Sequence, residues 1–357
     1  MTVDPVVTPI ADRPVENPAS TSSRTRGEKM QAIVQDAYGS SEVLRLAEID
    51  LPEIAASEVL VEVAAAGMDR GTWHLMAGKP YLMRIIGFGF RRPKNRVPGL
   101  DVAGTVVAVG AEVTRFQPGN EVFGISRGAF AEYAVVREDK LAQKPANLSF
   151  EQAAVIPISG GTALQGLLDS GNLEAGQRVL IIGASGGVGT YAVQLAKAHG
   201  AEVTGVSSSA KVDLVRSIGA DHVLDYTQHD YLDGSEKYDL ILDIGGNNGL
   251  ARLRRALTSE GTLVIVGGEE GGSLTGGFGR QIRALVVSMF VTQRLTMLAS
   301  KERHTDLEAL SPFLESGQVV PVIDRTYPLG EVPLAIRHLE AGQARGKIAI
   351  EIQPRST

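Results

Sequence analysis

The segment Arg178-Val-Leu-Ile-Ile-Gly-Ala-Ser-Gly-Gly-Val-Gly-Thr190 constrains this chain more than any other. An apolar run that reads as a buried strand enters a turn with glycines at 183, 186 and 189, and the amphipathic stretch Tyr191–Lys197 that follows reads as a helix. Each glycine has its own physical role. The first makes the tight turn, the second lets bare backbone approach a pyrophosphate, and the third lets the helix pack close to the sheet. The backbone of Gly183, Ala184, Ser185, Gly186, Gly187, Val188 and Gly189 would then surround phosphate charge at the positive end of a helix dipole. A lone glycine triplet is often only a turn. Here strand, helix and next strand all fit, so the segment predicts a dinucleotide site.

What surrounds the turn sets the fold class. From about residue 151 the pattern alternates helix and strand, with strands expected at Arg178–Ile182, Glu202–Val206, His222–Leu224, Asp239–Leu242 and Thr262–Val266. Such alternation predicts a doubly wound parallel sheet of the Rossmann type. Before it, short β-rich segments at Gln31–Gln35, Glu58–Ala64, Val102–Val109, Glu121–Ile125 and Phe130–Val136 are separated by Gly, Pro and Asp, which reads as a partly closed antiparallel barrel. Strand character returns at Val319–Ile323 and Lys347–Ile352. The expected division is an extension over 1–29, a discontinuous substrate domain over 30–150 and 319–357, and a Rossmann domain over 151–318. Pro5, Pro9, Pro14 and Pro18 with three acids make the extension read as disordered. The apolar stretch Ala284–Val291, too short for a membrane span, reads as a buried helix.

Composition narrows the partners. A net charge of -6 gives no broad basic footprint, so nucleic acid is not expected. With no cysteine the chain forms neither disulfides nor thiolate metal sites. A cytoplasmic homodimer acting on a small molecule, without a membrane, is the expectation. After the second strand, where sites for the unphosphorylated cofactor place an acid, stand Ser207, Ser208 and Lys211. Hydroxyls and an ammonium suit a 2′-phosphate, which favours NADP(H); a serine cap with a solvated lysine would look the same.

Together with Val97-Pro-Gly-Leu-Asp-Val-Ala-Gly104, Gln117-Pro-Gly-Asn-Glu-Val-Phe-Gly124, Ala129-Phe-Ala-Glu-Tyr-Ala134 and Arg345-Gly-Lys-Ile348, the glycine turn resembles the medium-chain dehydrogenase/reductases, in their zinc-free quinone oxidoreductase and enoyl reductase branch. The resemblance runs from Met30 to Ile352 and implies a GroES-like substrate domain beside the Rossmann domain. It further implies that Ser159, Thr162, Gly267, Gly268 and Lys347 lie near the cofactor, and that Tyr226 flanks the adenosine phosphate. Zinc-dependent members carry a Cys ligand and a His-Glu pair; this chain has Gly67-Met-Asp69 and Leu100-Asp101 there, and no cysteine-rich lobe. Catalytic zinc needs three suitable ligands, so no metal is expected. Zinc-free relatives often carry Asn and Tyr where this chain has Asp69 and His74.

Without a metal, hydride from NADPH can reach acceptors that are already electrophilic: a quinone or an α,β-unsaturated carbonyl compound. His74, then Tyr81 and Asp69, are the candidate polar residues of the active site. A zinc-free alcohol or ketone reductase, or a non-catalytic NADPH-binding sensor, would keep the same cofactor residues. The stretch Tyr81–Arg96, rich in aromatics and in cations, reads as a lid over an apolar acceptor, as a basic surface loop with a buried apolar foot, as a subunit contact or as a helix packed on the barrel.

Overall fold

The Rossmann reading rests on strands whose side chains face apolar surroundings on both sides, and the structure shows why. In the computed structural model, which describes residues 27–81, 84, 85, 89–246, 248–267 and 278–352, every residue of Val179–Ile182 is buried. Numbering strands in chain order, this is β8 (Arg178–Ile182); β9 (Glu202–Ser207), β10 (His222–Asp225), β11 (Tyr238–Asp243), β12 (Leu257–Ile265) and β13 (Arg294–Met297) join it in the order β10-β9-β8-β11-β12-β13. All five pairings are parallel. Because the strand order reverses between β8 and β11, the crevice at their carboxyl ends is the general ligand position of such sheets. Helix α4 (Gly187–Ala198) starts within the glycine turn, four residues before the expected Tyr191.

The second sheet is mixed. Its strands β3 (Glu58–Met68), β4 (Asp101–Val109), β5 (Glu121–Ile125), β7 (Leu141–Gln143), β14 (Ile323–Pro328) and β15 (Lys347–Glu351) run in the order β14-β15-β3-β4-β5-β7, and β6 (Tyr133–Arg137) also pairs with β3. The path is open among the described residues. One pair, β14 with β15, is parallel, a departure from the all-antiparallel expectation. A small sheet of β1 (Lys29–Val34) and β2 (Arg45–Asp50) packs beside it. The chain is thus α/β, a Rossmann sheet plus a GroES-like domain. β1 begins at Lys29, and residues 1–26 of the expected extension lie outside the described residues.

Two expectations are corrected. Val319–Ile323 is not a strand: Val319 donates its N–H to Phe313 O at 3.0 Å and Val320 to Gln194 Oε1 at 2.8 Å, so these residues close the end of helix α8 (His304–Glu315), and the ladder starts only at Ile323. The apolar stretch 284–291 is not a buried helix either. Helix α7 (Phe278–Ser288) buries Ala284 but leaves Ile282, Leu285, Val286, Met289 and Phe290 exposed, the last at 80%. Apolar composition did not indicate which face finds cover.

Candidate active site

At the glycine turn, close packing requires glycine. Gly183 has φ +89°, and a Cβ on Gly189 would lie 2.1 Å from Gly183 O and 2.7 Å from the Ala184 backbone. Gly186 N–H donates to Gly183 O at 3.1 Å and Gly186 O accepts from Thr190 N–H at 3.0 Å, so the first helical N–H groups, of Gly187, Val188 and Gly189, have no partner within the helix. Ala184 is fully buried and Ser185 nearly so.

The turn is met from the other sheet. Gly346 N–H donates to Ser185 O at 3.0 Å and pairs as a bridge with Gly186. The next residue, Lys347, is 1% exposed and runs so close to the turn that a Cβ on Gly187 would meet its Cδ at 2.9 Å. Lys347 Nζ donates to Asp101 Oδ2 at 3.1 Å and to Ser159 Oγ at 3.0 Å, while Asp101 Oδ1 accepts from Ile158 N–H at 2.8 Å. Three elements, β15, β4 and helix α3 (Pro157–Leu164), therefore converge on one buried ion pair. Burial pushes the Asp101 carboxyl up to about 7 against the pull of Lys347, with the charge of Asp69 adding to the rise. Thr162 is buried in the same helix, one turn beyond Ser159.

Asp69 caps helix α1 (Arg70–Ala77), accepting from Thr72 N–H through Oδ1 at 2.7 Å. Its other carboxylate oxygen, and Thr72 Oγ1, are buried with no partner, so both are available to a bound donor or water. His74 Nδ1 donates to Lys79 O at 2.9 Å. That bond makes Nε2 an acceptor in the neutral ring, able to donate only as imidazolium. Tyr81 is 40% exposed under the guanidinium of Arg84, 4.7 Å from its centroid. The structure thus groups Asp69 with the buried cluster and leaves Tyr81 partly exposed beside Arg84. In the 81–96 stretch, Leu82, Met83, Ile86, Gly87 and Phe88 lie outside the described residues, and Ile85 and Phe90 are each 71% exposed.

At the carboxyl end of β9, Ser207 is buried and Ser208 partly exposed. Lys211 Nζ donates to Gly342 O at 2.9 Å and Ala344 O at 2.7 Å, which ties the end of β9 to the turn leading into Lys347. Tyr226 is 56% exposed, its N–H donated to Ser207 O at 3.1 Å. An acid missed by sequence spacing stands here: Asp225 of β10 pairs in register with Ser207, and hydrogen bonds from Ser209 and Thr227 hold its carboxyl below the usual range. At the opposite end Arg280, on α7, donates to Asp243 Oδ2 at 2.7 Å, Asn248 O at 3.2 Å and Gly267 O at 2.9 Å. Asp243 ends β11 fully buried, and burial raises its carboxyl to about 6 despite Arg280. Arg280 thereby fixes the loops after β11 and β12, including Gly267; Gly268 lies outside the described residues. No sequence spacing announces a pair 37 residues apart.

A family model described as "Alcohol dehydrogenase GroES-like domain" matches residues 55–146, and one described as "Zinc-binding dehydrogenase" matches residues 218–350. The chain is 34% identical to a 2-methylene-furan-3-one reductase of Solanum lycopersicum over 91% of this chain and 80% of that protein. The chain belongs to the quinone oxidoreductase and enoyl reductase branch of the medium-chain dehydrogenase/reductases. It is also 33% identical to an NADPH-dependent alkenal/one oxidoreductase of Arabidopsis thaliana, over 92% of this chain and 81% of that protein. Among solved structures, the quinone oxidoreductase from Coxiella burnetii matches with a TM-score of 0.80 at 28% identity, covering 91% of this chain and all of that one. The zinc of the second model's description does not fit this site: Leu100 stands at the histidine position, Asp101 is taken by Lys347, and no group of three His, Cys, Asp or Glu suited to a metal occurs among the described residues.

Proposed function

We propose that this chain is an oxidoreductase that transfers a hydride from NADPH to a quinone or an α,β-unsaturated carbonyl compound, with no catalytic metal. The observation that carries the reading is the convergence of both sheets on the glycine turn, where Lys347 and Ser159 lie against Gly187 and Asp101 holds Lys347. The relatives named for reduction of alkenals and enones support the acceptor class.

When bound, NADPH supplies the hydride; the chain supplies everything else. The N–H groups of Gly187, Val188 and Gly189, with Ala184, Ser185 and Gly186 shaping the turn from Gly183, would hold the pyrophosphate, and Lys347 would add a buried positive charge beside it. Ser207, Ser208, Lys211 and Tyr226 would frame the 2′-phosphate. Thr162, Gly267 and Gly268 would line the nicotinamide end, with Arg280 holding Gly267 in place. Asp69, His74 and Tyr81 are assigned to acceptor orientation and to the proton that follows the hydride. A pre-formed, dry site of this kind acts by orientation and by hydrogen bonds to the developing enolate oxygen.

The reading divides the chain into a Rossmann domain over 151–318 and a substrate domain over 30–150 and 319–357, and takes it as a cytoplasmic homodimer. The apolar side of α7 left exposed among the described residues, beside the edge strand β13, supports self-association. No helix among the described residues is long and apolar enough to cross a membrane. NADPH oxidation followed at fixed enzyme against quinones, 2-alkenals and enoyl thioesters tests the function. Turnover with at least one of these is expected, and tight NADPH binding with no turnover on any of them refutes it.

A further inference from the structure

Away from the glycine turn, a cavity of about 620 Å³ opens between the end of β1 and the 89–96 segment, within the size range of small-molecule sites. We propose that it binds a phosphate-bearing molecule. The rim carries Arg91, Arg92, Lys94 and Arg96 in a chain whose net charge is -6, so the local sign runs against the global one. Asp36, the acid on the same rim, is shared by Arg96 at 2.8 Å and Arg45 at 3.0 Å. Arg91, Arg92 and Lys94 make no ion pair or hydrogen bond among the described residues, leaving three uncompensated cations on one edge.

The edge is held to the body of the protein at both ends. Tyr38 OH donates to Gly89 O at 2.7 Å, and Gln35 N–H donates to Arg96 O at 2.8 Å. Gly89 itself has φ +112°, and a Cβ there would strike Arg92 O at 2.1 Å, so the turn that presents the arginines is built on glycine. In the cavity wall lies the second, independent observation: Gln35 is 3% exposed, and its Oε1 is buried without a partner. A buried amide oxygen left unpaired is costly, and rotating the amide would offer a donor instead. Phe90, 71% exposed, adds a planar apolar face beside the cations. Arginines recognise phosphate oxygens bidentately, Gln35 takes a hydroxyl or amide of the same molecule, and Phe90 covers its apolar part.

Two sources carry this chemistry: the phosphorylated tail of the electron acceptor, or a free phosphate compound. Along the chain the 89–96 segment lies between α1, which Asp69 caps, and β4, which begins at Asp101. The first source rests on the oxidoreductase reading above; the second does not.

Calorimetric titration of inorganic pyrophosphate into enzyme saturated with NADP+, which keeps the glycine turn occupied, reads the site without turnover. Binding is expected in the wild type and at least about tenfold weaker in Arg91→Gln/Arg92→Gln/Lys94→Gln and in Gln35→Met. Kinetics with 2-butenoyl-CoA and with the 2-butenoyl thioester of N-acetylcysteamine separate the sources. A KM raised about tenfold for the first alone, with kcat kept, identifies the acceptor tail, and no change in either KM alongside lost pyrophosphate binding identifies a free phosphate compound. Pyrophosphate that fails to bind overturns the proposal, as does a loss confined to the cation variant with Gln35→Met unaffected, since that marks diffuse surface charge. No turnover of either thioester sinks the oxidoreductase reading for this acceptor class and leaves the calorimetric result standing.

Discussion

Replacing Lys347 by Met tests the buried ion pair through its dependence on pH. Asp101 is fully buried, and its carboxyl is raised to about 7 even with Lys347 at 3.1 Å. In the unfolded chain it titrates at about 3.9, and each unit of difference is worth roughly 1.36 kcal/mol. In the wild type, a raised acid favours folding most below about pH 4; stability falls as pH rises toward about 7, by roughly 4 kcal/mol in all, and is level above it. Removing Lys347 takes away the main attraction that keeps Asp101 ionisable, so in the variant the carboxyl stays protonated to higher pH. The fall then continues at roughly 1.4 kcal/mol per unit beyond pH 7. Near pH 6 the two proteins should differ by the lost bonds to Ser159 and Asp101, about 1 kcal/mol each. By pH 9 the gap should widen by a further 3 kcal/mol or so, roughly two units at that slope. Urea unfolding at pH 6, 7, 8 and 9 measures it, with the sole tryptophan as probe: Trp73 Nε1 donates to Glu340 at 2.7 Å in the same half of the molecule as Asp101. A gap that stays constant or narrows across this range refutes the argument that burial, opposed by Lys347, governs Asp101.

Gly189→Ala places a Cβ 2.1 Å from Gly183 O and should weaken NADPH binding more than about tenfold by calorimetry; an unchanged Kd would show that the close packing is dispensable. Arg280→Met frees Gly267 O and removes the cation beside Asp243, so KM for NADPH should rise about tenfold with the circular dichroism kept, and an unaltered KM would detach that clamp from the cofactor. Because Asp243 is already raised to about 6, its contribution in the wild type levels off near pH 6, whereas in the same variant it should go on lowering stability above that pH. Lys211→Ala should raise Kd for NADPH and leave that for NADH unchanged in parallel titrations; an NADH preference in the wild type would sink the 2′-phosphate assignment. Chelator treatment should leave kcat unaltered, and stoichiometric zinc lost together with activity would overturn the metal-free mechanism.

What the sequence announces here is what is local. Strand, glycine turn and helix follow one another between Arg178 and Ala198, and each carries its own signal of apolar run, glycine spacing or amphipathic period. The order β10-β9-β8-β11-β12-β13 has no such signal, since it depends on which edges meet, although alternation alone limited it to a doubly wound sheet. The same limit explains the misplaced strand at 319. Val319 and Val320 are as β-prone as Ile323, but the end of α8 and Gln194 claim their N–H groups first. In α7 the apolar residues were visible and their exposure was not, because burial belongs to the partner surface. Asp225 escaped notice for a related reason. The spacing rule looks along β9, whereas the carboxylate reaches Ser209 from the neighbouring strand.

The cofactor end of the molecule is therefore only half written in the glycine turn. Three links cross from the stretch 342–347 onto segments flanking the Rossmann sheet: Lys211 to the carbonyls of Gly342 and Ala344, Gly346 to Ser185, and Lys347 to Ser159. Lys347 is also bound to Asp101 of β4, so the segment that clasps the phosphate turn is anchored in the sheet that carries Asp69 and α1. A shift of one sheet against the other must break a buried ion pair or move the turn, and breaking such a pair by parting its members costs several kcal/mol, about 3–5 in typical proteins. The glycine turn and the sheet that carries Asp69 are thereby held as one mechanical unit. In the reading proposed above, that coupling would hold hydride donor and acceptor in register by orientation.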